Sequence, residues 1–197
     1  MSAVFFKPWI GADYKTATKF GKRVMILGEA HYQWEKETTP YPDLTCTAIS
    51  DQVNAVYTYA FWTRVAGAFL GHKPVIAEKQ DFWRSVAFYN YIQESAGFGP
   101  RVRPKPEMWT KSKAGFAEVL HEHAPQVLIV LGYQLWNNLP DLEGAWDKPI
   151  TGAPQTQTWR YPLSKGGSCL AYGIKHPSSG FTGSEWQPHI LEAIRRA

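Results

Sequence analysis

The sequence predicts an α/β fold of three layers, α/β/α, with a small central sheet of four mostly parallel strands. Four short apolar runs end at turn-forming or polar residues: residues 24–27, 86–92, 127–131 and 169–174. Runs of this length without alternation are typical of strands buried on both faces of a sheet. Helical patterns separate the runs, and strands that alternate with helices pair in parallel through right-handed crossovers. At 197 residues, the chain is expected to form a single domain over residues 1–197.

Four helices are predicted between and after these strands. Residues 48–70 carry an apolar stripe at helical spacing, and Gly71 suits the C-cap of that helix. A proline followed by an acidic residue begins a second helix, which spans residues 106–123. Residues 132–138 and 184–196 give the last two helices. The other segments are 82–85, either a helical turn or a strand approach, a loop at 97–106, and an irregular region at 140–167 with a hairpin around 156–161.

Composition and charge narrow the class of protein. The net charge of +4 and the pI near 9.0 permit a nucleic-acid partner, and an aromatic content of 15% supplies stacking surfaces as well as core residues. No stretch approaches 18 apolar residues and no signal-peptide pattern opens the chain, so we expect a cytoplasmic protein without a membrane span. Cys46 and Cys169 are interpreted as reduced thiols. Two cysteines cannot supply the four ligands of an iron–sulfur cluster or a structural zinc site.

Two segments place chemically active side chains at strand ends. One strand runs into Gly-Glu-Ala-His-Tyr at residues 28–32, and another runs into His-Pro-Ser-Ser at residues 176–179. In an open parallel sheet, ligands bind outside the carboxyl ends of the strands. We therefore expect Glu29 and His176 to lie on the two lips of one cleft.

These segments and two others, in the same order, resemble the motifs of the uracil-DNA glycosylase superfamily. Residues 28–32 resemble the first motif, which is GQDPY in the best-known class and GEAPG in another. Asn90 resembles the strand asparagine that reads the flipped base. Residues 103–107 and 127–132 resemble the RxPxPEE and IIxLG stretches of the GEAPG class. Residues 176–179 resemble the second motif, HPSP or HPS.

The resemblance implies a monofunctional DNA glycosylase that flips a pyrimidine and hydrolyses its N-glycosidic bond. It implies DNA as the partner, no metal or other cofactor, no obligate protein partner and a monomeric state. His176 is expected to stabilise the negative charge that develops on the departing base. Glu29, with Glu35 as the second candidate, is expected to position water or stabilise the sugar cation. Asn90 offers the donor and acceptor needed to read a Watson–Crick edge.

Contacts to the DNA backbone are expected from two loops. Ser178 and Ser179, followed by a glycine, can bring hydroxyl and backbone N–H groups to a phosphate. Phe181 is the candidate for a wedge that fills the gap left by the flipped base. Arg103 is the candidate phosphate contact of the other loop, together with Arg101 and Lys105.

The first motif departs from both known classes and leaves the substrate open. Ala30 stands where GQDPY has aspartate, as in the GEAPG class, and His31 stands where many members have proline. Tyr32 matches the tyrosine that screens out bases with C5 substituents in the GQDPY class. With Asn90, these three residues form the expected base pocket. The expected base is uracil or a modified cytosine, such as a glucosylated hydroxymethylcytosine, in DNA repair or in defence against phage.

Other hypotheses remain open at this point. The chain could be a non-catalytic nucleic-acid-binding module with the same fold, or a hydrolase that acts on a free nucleoside. Each site residue also has a structural interpretation. Glu29 could cap a helix, His31 and Asn90 could be buried groups with protein partners, and Arg103 could belong to a solvated loop.

Overall fold

The computed structural model describes residues 2–33, 39–54, 59–99 and 102–197. Its strands are β1 (Trp9–Ile10), β2 (Val24–Gly28), β3 (Ala87–Asn90), β4 (Val127–Leu131), β5 (Ala145–Asp147), β6 (Thr158–Pro162) and β7 (Ser168–Ile174). Its helices are α1 (Leu44–Val53), α2 (Ala60–Leu70), α3 (Ile76–Ser85), α4 (Pro106–His123), α5 (Tyr133–Asn138) and α6 (Gly183–Arg196). In the described residues the strands form one mixed seven-stranded sheet, in the order β1-β3-β2-β4-β7-β6-β5. The fold class is α/β, as the sequence predicts.

The predicted size of the sheet is wrong. The four predicted strands are its parallel centre, β3-β2-β4-β7. Antiparallel strands extend this centre on both sides, because β1 pairs with β3, β6 pairs with β7, and β5 pairs with β6. β1 has two residues and β5 has three, mostly exposed, so neither contains the apolar run that marks a buried strand. β6 overlaps the hairpin that is predicted around residues 156–161.

The predicted long helix at residues 48–70 is also wrong. α1 ends at Val53 and α2 begins at Ala60, and residues 55–58 lie outside the described residues. The segment at residues 82–85 is the last turn of α3 rather than a strand approach. The spacing of apolar residues continues across the break between α1 and α2, which is why the pattern alone predicts one helix. The bounds of α4 agree with the prediction, and those of α5 and α6 agree to within one residue.

Alternate side chains of the central strands enter two separate cores. In β2, Val24 and Ile26 point into one core, and Met25 and Leu27 point into the other. The first core also holds buried residues of α1, α2, α3 and α6, whereas the second holds buried residues of α4 and α5. Helices therefore cover both faces of the central strands, as three-layer architecture requires. None of the helices in the described part of the chain has the length and apolar character that crossing a bilayer requires.

A glycine in β7 fixes how closely α5 approaches the sheet. A Cβ atom at Gly173 would lie 2.8 Å from Cδ2 of Trp136, which is a buried residue of α5. This distance is below van der Waals contact, and the indole is held by the second core. The absence of a side chain at Gly173 is thus part of the packing of this layer.

We predict that Gly173→Ala destabilises the fold by about 1–3 kcal/mol, because the new methyl group overpacks a site that has no free volume. Urea denaturation followed by circular dichroism measures the change. In a Trp136→Leu background the same substitution should lower the free energy of unfolding by less, because leucine lacks most of the indole atoms that the new methyl group would meet. An equal cost in both backgrounds would show that the indole contact is not the cause.

Candidate active site

The carboxyl ends of β2 and β3 are held side by side, and their loops continue together. Gly28 is the register partner of Asn90. Beyond the strands, the backbone N–H of Ile92 donates to the carbonyl of Glu29 at 2.9 Å, and that of Ala96 donates to the carbonyl of His31 at 3.0 Å. Because the backbone is paired on this side, the Gly-Glu-Ala-His-Tyr segment has a defined path past the end of the sheet.

Gly28 makes room for the Asn90 side chain. A Cβ atom at Gly28 would lie 2.3 Å from Asn90 Oδ1 and 2.7 Å from Cζ of Phe88. Any larger residue at this position would therefore displace the Asn90 amide. The glycine at the start of the first motif is required here by close packing rather than by an unusual backbone angle.

Glu29 is a nearly buried carboxylate beneath an exposed guanidinium. Its side chain is 9% exposed, and Arg103 Nη1 lies 3.6 Å from Oε1. Burial raises the pKa of the Glu29 carboxyl, and Arg103 opposes that shift. Burial and the Glu29 charge also raise the pKa of Tyr32, and Arg103 opposes that shift. A carboxyl group with a raised pKa is better suited to accept a proton than an exposed one.

His176 follows β7, and a backbone hydrogen bond selects the tautomer of its neutral ring. The backbone N–H of Ser178 donates to His176 Nδ1 at 3.2 Å, so the neutral ring bears its hydrogen on Nε2. The ring stacks on Phe61, with centroids 5.7 Å apart and planes at 28°. Burial lowers the pKa of His176, and Arg103 lowers it further. His176 is thereby favoured as a neutral N–H donor.

Arg103 pairs with Glu29 and acts electrostatically on His176. Its guanidinium lies against the carboxylate of Glu29, and its charge also reaches His176. Arg103, which is predicted to contact phosphate, lies next to Glu29 in the structure. Its side chain is 68% exposed, so the outer part of the guanidinium remains accessible to a ligand.

Asn90 and His31 form a polar pair with Thr45. Asn90 Nδ2 donates to His31 Nε2 at 3.0 Å, and the Thr45 hydroxyl lies 2.8 Å from the same nitrogen. Burial lowers the pKa of His31 to about 4, so the ring is neutral at pH 7 and Nε2 can accept. Asn90 is 6% exposed, and its Oδ1 accepts no hydrogen bond from the described residues. The pair fixes the orientation of the amide.

The loop after His176 exposes its serines and anchors its phenylalanine. Ser178 and Ser179 are exposed, and the N–H of Ser179 donates to the His176 carbonyl at 2.9 Å. Phe181 is half-buried against the first core, and its ring lies parallel to Trp186 with centroids 6.3 Å apart. The serines are therefore placed to meet a ligand, whereas the Phe181 ring is already packed.

Several expected residues lie at the edge of the site or outside the described residues. Ala30 is half-buried and packs against the second core, and Lys105 is exposed at the N-cap of α4. Glu35 and Arg101 lie outside the described residues. Among the residues that are described, no three His, Cys, Asp or Glu side chains gather as metal ligands would.

Sequence reasoning missed two contributors from distant segments. Phe61 supports His176 from the first turn of α2, and Thr45 reaches His31 from the first turn of α1. Phe61 belongs to the apolar stripe of the helix predicted at residues 48–70, and Thr45 carries no signal in the sequence. Both act through tertiary contacts between elements whose relative position depends on the whole fold.

Comparison with known proteins adds no further assignment. No protein-family model matches the chain, and no curated protein matches it. The arrangement of a buried carboxylate, a neutral imidazole donor and a fixed amide at one edge of the sheet is therefore the basis for a function.

We predict that His31→Gln flattens the pH dependence of stability between pH 6.5 and 4. Wild-type His31 binds a proton less readily in the folded state, so the unfolded state takes up more protons and stability falls as pH falls through this window. The loss is about 3 kcal/mol over the full window. Glutamine can still accept from Asn90 but does not titrate.

Urea denaturation at pH 7 and at pH 4.5 tests this prediction, with His189→Gln on α6 as the control. The difference in unfolding free energy between the two pH values should shrink in His31→Gln and stay as in wild type in the control. An unchanged difference in His31→Gln would contradict the lowered pKa of this ring.

Proposed function

We propose that this protein is a monofunctional DNA glycosylase that hydrolyses the N-glycosidic bond of a flipped pyrimidine. The products are the free base and an abasic site. One observation carries the proposal: Arg103 lies beside the buried Glu29 carboxylate and also acts on the neutral donor His176, at the sheet edge that holds Asn90. A carboxylate and an N–H donor on opposite lips are the groups that this reaction needs.

His176 stabilises the leaving base. As the C1′–N bond breaks, its electron pair moves onto the pyrimidine, and negative charge develops on the ring and its carbonyl oxygen. The Nε2–H of His176, held by the Ser178 N–H at Nδ1, donates to that oxygen. A neutral imidazole suits this role because it donates a hydrogen bond without needing to be charged.

Glu29 acts on the sugar side. The carboxylate stabilises the oxocarbenium-like sugar and accepts a proton from the water that attacks C1′. Water thus supplies the hydroxyl of the abasic sugar. Glu29 then releases the proton to solvent, and the departed base anion takes one up, so that the net reaction consumes one water. Burial raises the pKa of Glu29 and makes it a stronger base, while Arg103 keeps the ionised form accessible.

Asn90 reads the base through a fixed amide. Its Nδ2 is held by His31, and its Oδ1 is left to accept from an N–H of the base. Uracil and cytosine present donor and acceptor in opposite order on this edge, so a fixed amide distinguishes them where a rotating one would not. The substrate we propose is uracil or a modified cytosine, in DNA repair or in defence against phage.

We predict that Glu29→Gln and His176→Ala each lower the single-turnover excision rate by at least ~10²-fold while DNA affinity stays near that of wild type. The assay uses duplexes that contain uracil, a thymine mismatch or glucosylated hydroxymethylcytosine, with alkaline cleavage to reveal abasic sites. Glu107→Gln, an exposed carboxylate at the start of α4, is the matched control. If the wild type binds DNA tightly and cuts none of these bases, the chain is a non-catalytic binding module instead.

We also predict that the excision rate rises with pH along an acidic limb centred above pH 4.5, the ordinary pKa of a glutamate, because Glu29 must lose its proton and burial raises its pKa. Arg103→Gln should move this limb to higher pH, since the guanidinium lowers the pKa of Glu29. Lys105→Gln, an exposed neighbour, should leave it in place. A limb that persists in Glu29→Gln would assign it to another group.

A further inference from the structure

A groove between α2 and α6 lies outside the candidate active site. It encloses a cavity of about 590 Å³, which lies within the size range of small-molecule binding pockets. The polar side chains that line it are Thr63, Arg64, His72, Lys73 and Ser184. None of these residues has a role in the proposed chemistry, so the groove needs its own explanation.

Two cations in this groove have no carboxylate partner among the described residues. Arg64 and Lys73 are exposed, and neither forms an ion pair there. His72 differs, because its Nε2 lies 3.0 Å from Glu78 and its Nδ1 lies 3.0 Å from the Leu70 carbonyl. The histidine and Glu78 satisfy each other at the rim, which leaves Arg64 and Lys73 as the available positive charges.

One end of the groove adjoins the candidate active site through Arg64. Arg64 Nη1 donates to the Pro177 carbonyl at 3.3 Å, next to His176. Phe61, which stacks on His176, lies less than one helical turn before Arg64 on α2. From Arg64 to Lys73 the groove follows α2 for roughly 10 Å. A ligand that leaves the site past His176 would pass along these two cations in turn.

The floor of the groove is closely packed. A Cβ atom at Gly183 would lie 2.9 Å from the Gly67 carbonyl oxygen, so α6 and α2 meet there backbone to backbone. Trp186 and Ile190 of α6 pack into the same core as α2. Arg64 therefore projects from a closely packed pair of helices, and Lys73 follows in the loop after α2.

We propose that the α2–α6 groove is a track for the phosphodiester backbone of the DNA strand that leaves the site past His176, with Arg64 and Lys73 each contacting a phosphate. The proposal rests on the proposed function for the identity of the polyanion. Arg64 and Lys73 form no ion pair with the described residues and lie some distance apart along the groove. This spacing suits a ligand with repeated negative charges better than a compact anion, which binds where several cations converge. Thr63 and Ser184 add hydroxyl donors along the track.

The test measures the salt dependence of DNA binding. Fluorescence anisotropy gives the affinity for a labelled duplex at several salt concentrations, and the slope of log K against log salt reports the number of phosphate contacts. In the double variant Arg64→Gln/Lys73→Gln, the slope should become less negative by about 1.8, or about 0.9 for each lost contact. Lys73→Gln alone should make the slope less negative by about 0.9. The Lys73 side chain makes no hydrogen bond to the described residues, so the substitution removes no such contact.

Charge-preserving and remote variants complete the design. Arg64→Lys should keep the slope of the wild type. Lys113→Gln/Lys165→Gln removes two exposed lysines, one on α4 and one in the β6–β7 turn, and should also keep it. Circular dichroism melting confirms that every variant is folded.

The outcomes separate this proposal from the proposed function. A double variant with an unchanged slope overturns the track, even if the wild type excises bases. The same change of slope in the remote variant also overturns it, because the effect would then be one of net charge. A slope that depends on Arg64 and Lys73 supports the track, even if no base is excised and the glycosylase proposal fails. A wild type without affinity for DNA overturns both.

Discussion

Parallel pairing between strands that are buried on both faces is the constraint on which this structure depends. Such strands have no exposed face on which to carry chemistry, so polar side chains can enter only at their ends. Asn90 is the last residue of β3, Glu29 follows β2, and His176 lies two residues after β7. The register of the sheet brings these three ends to one edge.

Desolvation at that edge shifts each titratable group toward its neutral form. It raises the pKa of Glu29 and lowers the pKa values of His31 and His176. The exposed guanidinium of Arg103 partly reverses the shift at Glu29. The result is a different protonation behaviour for each of three groups, of which Glu29 is nearly buried and the two histidines are half-buried. One group becomes a stronger base, another a neutral donor, and a third a neutral acceptor that fixes the amide.

The parts of the fold that the sequence predicts are those with a local signal. The four central strands are found because each is a continuous apolar run, and α4 is found because Pro106 and Glu107 mark its start. The edge strands β1 and β5 are too short and exposed to leave such a run. The break between α1 and α2 is invisible because apolar residues continue across it at helical spacing.

The same distinction holds for the candidate site. Strand ends place Glu29, Asn90 and His176 together, and this could be inferred from the sequence. The ion pair between Glu29 and Arg103, and the support of His31 by Thr45, join segments far apart in the chain. Nothing local in the sequence encodes those contacts, because they exist only once the layers have packed.

The fit between Gly28 and Asn90 has a consequence for how any activity here is gained during folding. Side chains alternate along a strand, so a slip of one residue between β2 and β3 would turn the Asn90 amide to the other face of the sheet and away from His31. A mispaired molecule would therefore lack the contact between Asn90 and His31 altogether instead of holding it loosely. The orientation of this amide is therefore acquired in one step with the correct pairing of β2 and β3.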